Sequence, residues 1–449
     1  MFELVQDTSR QLLAAGLTFS YLAGCGALLW QARQRRAAQP KLTAEDSIVI
    51  AWASQSGQAQ QQAEHLLAAF KQAHLSAQAI ALSQLTPEQL QGLSQVIFIV
   101  STYGEGEPPD NAQAFYQQLR RSHLDLSSVN YWLLGLGDSS YQQFCGFAQQ
   151  LDQQLQRLGA QPQAELHTLD CLHPTDLTRW QATLRQYFNL EFSQPAPASS
   201  YPLTLIKRTC LNPQSPHAGL FHLQFSLPKT AHWQAGDLVK LYPWNDTQHK
   251  PREYSLASIQ QSGSLDLIVR LAEHHTAQGP EFGLCSGWLC QSLQLGDSIH
   301  AELVSNQNFH APDDSTPLLL IGAGSGLAGL RSHLQQRPAH SRNWLIYGER
   351  EPHNDQPLIA ELQQWQSSGL LHQLDLTYSR CPKQPHYVQH RLQQQAEQVK
   401  HWLGQNGAIY VCGSLKGMGE AVHQTLIEML GQDAVQQLLA AGRYRRDLY

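Results

Sequence analysis

The segment Ile48-Val49-Ile50-Ala51-Trp52-Ala53-Ser54-Gln55-Ser56-Gly57-Gln58-Ala59 decides how the chain folds. An apolar run ends in small hydroxyl residues and a glycine. After it, Ala59, Ala63, Leu66, Leu67 and Phe70 recur at the spacing of a helix with one apolar face. Further apolar runs at 96–100 and 131–136 alternate with helical stretches. The alternation predicts an α/β layer, a doubly wound parallel sheet with the first helix packed on it. The turn also puts hydroxyls and backbone N–H groups at a helix N-terminus, where a phosphate is received. Taken alone, it reads equally well as a plain strand-to-helix turn with a serine N-cap.

Two more strand ends supply Ser101-Thr102-Tyr103-Gly104-Glu105-Gly106-Glu107-Pro108-Pro109 and Gly135-Leu136-Gly137-Asp138-Ser139-Ser140-Tyr141. Three loops thus converge on the carboxyl edge of one sheet, where open α/β sheets bind ligands. Tyrosines at the lips of a phosphate site suit stacking on a flat ring better than plain packing. The trio resembles the flavodoxin domain of the diflavin reductases. That resemblance implies FMN, with Ser54, Gln55, Ser56, Gly57, Gln58 and Ala59 on its phosphate and Tyr103 and Tyr141 flanking the isoalloxazine. Phe144 and Cys145 continue the family pattern, and Asp170 falls where the family has an acidic residue near the flavin.

Residues 193–200, with two prolines, break the alternation and read as a linker. From 201 to 312, short strand candidates such as 220–227 and 264–271 are separated by Gly, Pro and Asn, as in a small antiparallel barrel. Within it, Arg252-Glu253-Tyr254-Ser255 resembles the R-x-Y-S motif of the ferredoxin-reductase superfamily. The resemblance implies FAD, its pyrophosphate met by Arg252 and its ring covered by Tyr254; a guanidinium suits bidentate phosphate contact. Gly283-Leu284-Cys285-Ser286 resembles the family's second pyrophosphate turn.

Strand and helix alternate again from 313 to 449. The run 318–321 leads into Gly322-Ala323-Gly324-Ser325-Gly326 and a helix starting near Leu327. Glycines there let the backbone approach a dinucleotide pyrophosphate. Arg331 and Arg350 continue the resemblance, which departs at Ala323 and Gly329, where the family usually has proline. Ser379-Arg380 and Tyr387-Val388-Gln389 resemble the pocket for the 2′-phosphate of NADPH; Pro385 stands where the family usually has lysine, with Lys383 close by. NADPH is therefore favoured over NADH.

Tyr410-Val411-Cys412-Gly413 and the closing Arg443-Tyr444-Arg445-Arg446-Asp447-Leu448-Tyr449 resemble the sulfite reductase flavoprotein and NADPH-cytochrome reductase type. In that family Ser255, Cys412 and Asp447 would surround the hydride path, orienting the reactants while the flavin does the chemistry. Tyr449 would stack on the FAD ring and move aside for nicotinamide. One departure is large: the family's long helical connecting region between Asp237 and Arg252 is reduced to fourteen residues.

A chain of 449 residues has room for about three domains, here 41–192, 201–312 and 313–449. The formal charge of −6 comes from residues 41–190, where 13 acidic side chains face 7 basic ones, so nucleic acid is excluded as a partner. The eight cysteines show no zinc spacing, and no metal is expected. Residues 12–30 are 19 without a charge, enough at roughly 1.5 Å each to span a membrane, and Arg33, Arg35 and Arg36 follow. A transmembrane anchor and linker over 1–40 is therefore expected, single-pass in the inner membrane with the catalytic domains in the cytosol. Leu22-Ala23-Gly24-Cys25 resembles a lipoprotein cleavage box, but the apolar run continues past it and no basic segment precedes it.

The function expected is NADPH-dependent electron transfer through FAD and FMN to an acceptor protein. A membrane haem protein, a ferric-siderophore reductase or a sulfite-reductase-like partner would fill that role. The competing readings are a non-catalytic FMN carrier or docking scaffold and a stand-alone NADPH quinone or ferric reductase.

Overall fold

The structure is a computed structural model, and it describes residues 47–449 apart from 56, 105, 140–141, 193–199, 229, 277–278 and 382–385. The first sheet is parallel. Its strands are β1 (Ile48–Ala53), β2 (Ala77–Ala81), β3 (Gln95–Ser101), β4 (Asn130–Gly137), β5 (Gln161–Pro162) and β6 (His167–Asp170). They run in the order β2-β1-β3-β4, with β5 and β6 both pairing β4. The central strands are apolar on both faces because helices cover both: Val96, Ile97, Phe98, Ile99 and Val100 are fully buried. Helix Gln58–Gln72 buries Ala59, Ala63, Leu66 and Phe70 as its spacing required, with Leu67 only partly covered.

The second sheet is antiparallel, built from β7 (Ser200–Cys210), β8 (Leu220–Ser226), β9 (Leu238–Leu241), β10 (Arg252–Ser255), β11 (Leu265–Arg270) and β14 (Ser298–Val304). Its order is β10-β9-β14-β7-β8-β11, and a Leu256–Leu267 bridge joins the two edges into a barrel. A hairpin of β12 (Glu273–Thr276) and β13 (Gly279–Phe282) precedes the turn at Gly283. The third sheet comprises β15 (Leu318–Ala323), β16 (Asn343–Glu349), β17 (Gln373–Tyr378), β18 (Ala408–Gly413) and β19 (Tyr444–Leu448), parallel in the order β17-β16-β15-β18-β19. Between β9 and β10 the chain passes through residues 242–251, whose helical content is one 3-10 turn at Pro243–Asn245 that bends sharply at Trp244, φ 59°.

The expected membrane anchor over 1–40 lies outside the described residues. Among the described residues no helix is long and apolar enough to cross a membrane. The run at 12–30 lies outside them, as does the linker expected at 193–200 except for Ser200, which opens β7.

One core residue runs against the burial rule. His333 sits fully buried on helix Leu327–Gln336, its ring edge-on to Phe309 and Tyr410, each centroid 5.0 Å away. Neither ring nitrogen has a hydrogen-bond partner among the described residues. Burial, helped by Arg337, His310 and Arg445, pushes the imidazole down to about 3. The unfolded chain takes up this proton near pH 6.5 and the folded chain does not, so stability is full above that pH and falls as pH drops towards 3. His333→Leu should remove this penalty, gaining on the native protein by roughly 1.4 kcal/mol for each pH unit below about 6.5. Urea unfolding at pH 8 and pH 5 measures it, and a difference independent of pH would contradict the buried, neutral imidazole.

Candidate functional site

The strand-to-helix loop after β1 is held from several sides. Ser54 is buried, and its Oγ accepts from the N–H of Ala59 at 3.2 Å and lies 3.4 Å from Ser101 Oγ. The helix N-cap is Gly57 in the left-handed region, φ 85°, and not a serine; Ser56 lies outside the described residues. Gln55 Nε2 donates to Asp110 Oδ2 at 3.1 Å and to the carbonyl of Arg446 at 3.0 Å. Asn308 Nδ2 donates to the carbonyls of Ser54 and Gln55 at 2.9 and 2.8 Å. The first sheet is thus docked, loops inward, against the barrel and the third sheet.

The neighbouring loops form the rest of the cradle. Thr102 N–H donates to the Leu136 carbonyl at 2.9 Å, tying the ends of β3 and β4. Gly104 has φ 57°, and a Cβ there would meet Glu107 and Leu415, so only glycine fits. Gly106 packs on Gln143, and Gly135 and Gly137 on Cys145, with Phe144 half-buried beside them. Tyr103 is buried with its hydroxyl unpartnered among the described residues, and the Arg446 guanidinium lies 5.3 Å from its ring centroid. Tyr141, expected to be the second flanking ring, lies outside the described residues. Lys250, from the connection before β10, reaches Asp138 at 3.1 Å and Asp170 at 3.3 Å. Burial raises the Asp170 carboxyl, but bonds from Ser139 and Lys250 outweigh it and hold the group below its ordinary value.

These loops line a cavity of about 450 Å³. A second cavity, of about 760 Å³, opens across the barrel beside Tyr254, Leu284 and Ser286. Both volumes are of ligand size. Arg252, Glu253, Ser255 and Tyr449 line both, so one thin wall separates them. Gln58 Nε2 donates to Glu253 Oε1 at 3.1 Å across the junction. Arg252 is exposed, and Cys285 is buried next to Tyr254. Ser286 Oγ accepts from the Ala272 N–H at 3.1 Å, so this hydroxyl also fixes the turn at Gly283.

At the wall, the paired strands β18 and β19 set Cys412 opposite Asp447. Ser255 Oγ donates to Asp447 Oδ2 at 2.5 Å, and Cys412 Sγ does so at 3.6 Å. Burial raises the Asp447 carboxyl, and these two donors lower it in part. Burial and Asp447 together push the Cys412 thiol up, which makes it a neutral donor and not a thiolate. Gly322 and Gly326 lie against the Cys412 carbonyl, where a Cβ on Gly326 would collide with it. Tyr449 is no frayed end. Its N–H donates to the Gly413 carbonyl at 3.1 Å, its own carbonyl accepts from Leu415 at 3.0 Å, and its hydroxyl donates to Ser325 Oγ at 2.8 Å.

Cations gather at the far end of the third sheet. Ser379 N–H donates to the Glu349 carbonyl and Arg380 N–H to the Arg350 carbonyl, at 2.9 and 2.7 Å. Arg270 from the barrel pairs with Glu349 at 2.7 Å, and the Glu349 carboxylate also takes the hydroxyl of Tyr347 at 2.9 Å. Burial lowers Arg350, and the charges of Arg270 and Arg380 push the same way. Positive groups crowded this closely suit a multiply charged phosphate. Tyr387, half exposed, caps helix Val388–Gln394, and Gln389 lies in its first turn. Lys383 and Pro385 lie outside the described residues. Arg331 points elsewhere: it is buried and bonds Asp266, Glu361 and the Ala257 carbonyl, locking its helix to the barrel. Asp110, Lys250, Arg270 and Asn308 carried no local signal in the sequence, because each acts on a loop far away in the chain.

Residues 50–180 match the Flavodoxin family model and residues 320–424 the Oxidoreductase NAD-binding domain. The chain is similar to proteins named sulfite reductase (NADPH) flavoprotein alpha-component. The relative from Thiocapsa roseopersicina is 30% identical over 470 residues, covering 92% of this chain and 88% of its own. Those from Vibrio cholerae serotype O1 and Bacillus subtilis are 27% and 25% identical, covering 92% and 91% of this chain and 89% and 90% of theirs. The Vibrio alignment runs over 547 positions, so that relative carries segments absent from these 449 residues. Matches to flavoprotein components, with no spanning helix among the described residues, overturn the expected inner-membrane location.

Two outcomes follow from the geometry. Asp447→Ala removes the shared acceptor of Ser255 and Cys412; anaerobic rapid mixing with NADPH should show flavin bleaching slowed about tenfold or more at unchanged flavin content. An unchanged rate would mean that this trio does not orient the reactants. Arg446→Ala leaves the part-buried Asp110 carboxylate with Gln55 as its remaining side-chain donor, a loss of about 1.5–3 kcal/mol for a charged hydrogen bond. Small-angle scattering should then show a larger radius of gyration as the first sheet undocks, and an unchanged radius would show that the pair does not hold it.

Proposed function

This chain belongs to the diflavin reductase family of sulfite reductase (NADPH) flavoprotein alpha-components, and on that footing we propose that it passes electrons from NADPH through FAD and then FMN to an iron- or haem-containing acceptor protein. It is an NADPH-dependent flavoprotein oxidoreductase with FMN and FAD as cofactors. The observation that carries the electron order is the wall of Arg252, Glu253, Ser255 and Tyr449 shared by the two cavities. FAD, when bound, would supply a two-electron acceptor for the hydride of NADPH, and FMN a one-electron donor to the acceptor.

The chain's own residues divide that work. We read 41–192 as the FMN unit, its phosphate on the loop from Ser54 to Ala59 and its ring in the smaller cavity, where the Tyr103 hydroxyl, unpartnered among the described residues, and the narrow turn at Gly104 suit a flat polar ring. Residues 201–312 form the FAD-binding barrel in this reading, with Arg252 and the turn at Gly283 facing the pyrophosphate. Residues 313–449 bind NADPH, its pyrophosphate over Gly322 to Gly326 and its 2′-phosphate near Ser379, Arg380, Tyr387 and Gln389. Ser255, Cys412 and Asp447 hold the nicotinamide against the flavin and exclude water, and Tyr449 covers the ring until the coenzyme displaces it.

Buried bonds at Asp110 and Arg446 keep the FMN unit facing inward, so a large acceptor is served only after the unit lifts. The relatives' printed name supports a sulfite-reducing partner. An intact trio at the hydride position argues against a non-catalytic carrier. Gly104→Val, by blocking the FMN cradle, should abolish cytochrome c reduction while NADPH still bleaches FAD. If cytochrome c reduction survives the loss of FMN, electrons leave directly from FAD and the stand-alone reductase reading replaces this one.

A further inference from the structure

We propose that His217, on the barrel loop between β7 and β8, is a positioning residue that sets the preference for NADPH over NADH by holding Arg380 in place. The inference rests on the assignment of Ser379 and Arg380 to the 2′-phosphate.

The loop carrying His217 is anchored on both sides. Asn212 Oδ1 accepts from the Leu220 N–H at 2.6 Å, closing the loop at its base. Asn212 Nδ2 donates to Asp355 Oδ1 at 2.9 Å in a buried contact with the third sheet's unit, and Asp355 Oδ2 accepts from the Glu351 N–H at 3.1 Å. Next to His217, the Ala218 carbonyl accepts from Arg270 Nη1 at 3.0 Å. The imidazole is thereby delivered to a fixed point over the ends of β16 and β17.

At that point it bridges two charged groups. Arg380 Nη1 lies 2.9 Å from the ring nitrogens of His217, and His217 Nε2 lies 3.4 Å from Glu351 Oε1. A neutral imidazole has one acceptor nitrogen and one N–H donor, so it can accept from Arg380 and donate to Glu351 at once. Its place in the bridge matters electrostatically. A carboxylate touching Arg380 directly would neutralise the guanidinium, whereas an imidazole nitrogen set between it and Glu351 fixes its direction towards an incoming phosphate. Arg380 is an exposed, long side chain. With Pro385 where the family usually has a lysine, the orientation of Arg380 carries more of the discrimination. NADH has no 2′-phosphate and is indifferent to that orientation.

The test is steady-state kinetics on the full-length flavin-loaded protein with both coenzymes. His217→Ala should raise KM for NADPH about tenfold, leaving kcat and the KM for NADH unchanged; His217→Gln, which keeps an acceptor and a donor, should restore most of the loss. Arg380→Ala is the reference and should lower the NADPH preference by more. If Arg380→Ala leaves the preference unchanged, the 2′-phosphate assignment fails and the inference falls with it. If Arg380→Ala lowers the preference and His217→Ala does not, the assignment stands and the role of His217 is overturned. Equal losses with both coenzymes, or loss of flavin, in His217→Ala would mark a merely structural residue and overturn it too.

Discussion

Everything at the centre of the molecule hangs on the last strand. In β19, neighbouring side chains point to opposite faces, as the pleat of a strand dictates. Arg446 goes one way, to Asp110 and the ring of Tyr103 in the first sheet's unit; Asp447 goes the other, to Ser255 of the barrel and Cys412 of β18. Two adjacent residues thus tie three sheets to one point. Because Arg446 and Asp110 are both withdrawn from water, their pairing is obligatory once formed: either charge left alone there would be costly. The Asp447 carboxyl is raised by the same withdrawal and is kept usable by its two donors.

The same strand explains why the cavities adjoin. Tyr449 continues β19 by backbone bonds to Gly413 and Leu415, so its ring is set at the boundary and its hydroxyl reaches the glycine turn at Ser325. A side chain that lines both cavities and touches the glycine turn can respond to events in all three. The short connection 242–251 also contributes, since Lys250 near its end bridges Asp138 and Asp170 and supplies a contact where a long insert would otherwise stand. This short connection sets the barrel rim directly against the first sheet's loops.

Much of the fold was legible because its signals are local. Apolar runs bounded by glycine gave β1, β3, β4 and β15 to within a residue or two at each end, and the helix period gave the buried face of Gln58–Gln72. Motifs that must approach a phosphate or a second strand closely, such as Gly322 to Gly326, were legible for the same reason. What stayed hidden depends on distant contact. Nothing near Arg446 in the chain announces Asp110, which lies 336 residues earlier, and Arg331 looked like a ligand residue until its buried carboxylate partners were visible. The uncharged run at 12–30 carried the expected inner-membrane location, which the similarity to flavoprotein components overturns; the run itself lies outside the described residues. His217 had no motif at all; only the meeting of the barrel loop with the end of β17 gives it a neighbour to act on.

Electron flow through two flavins is a matter of stoichiometry as much as of geometry. The most direct measurement is an anaerobic NADPH titration of the purified full-length protein, with its flavins extracted and counted. One FAD and one FMN per chain, bleached completely only after two equivalents of NADPH, is the expected result. A single kind of flavin, or complete bleaching at one equivalent, would contradict it.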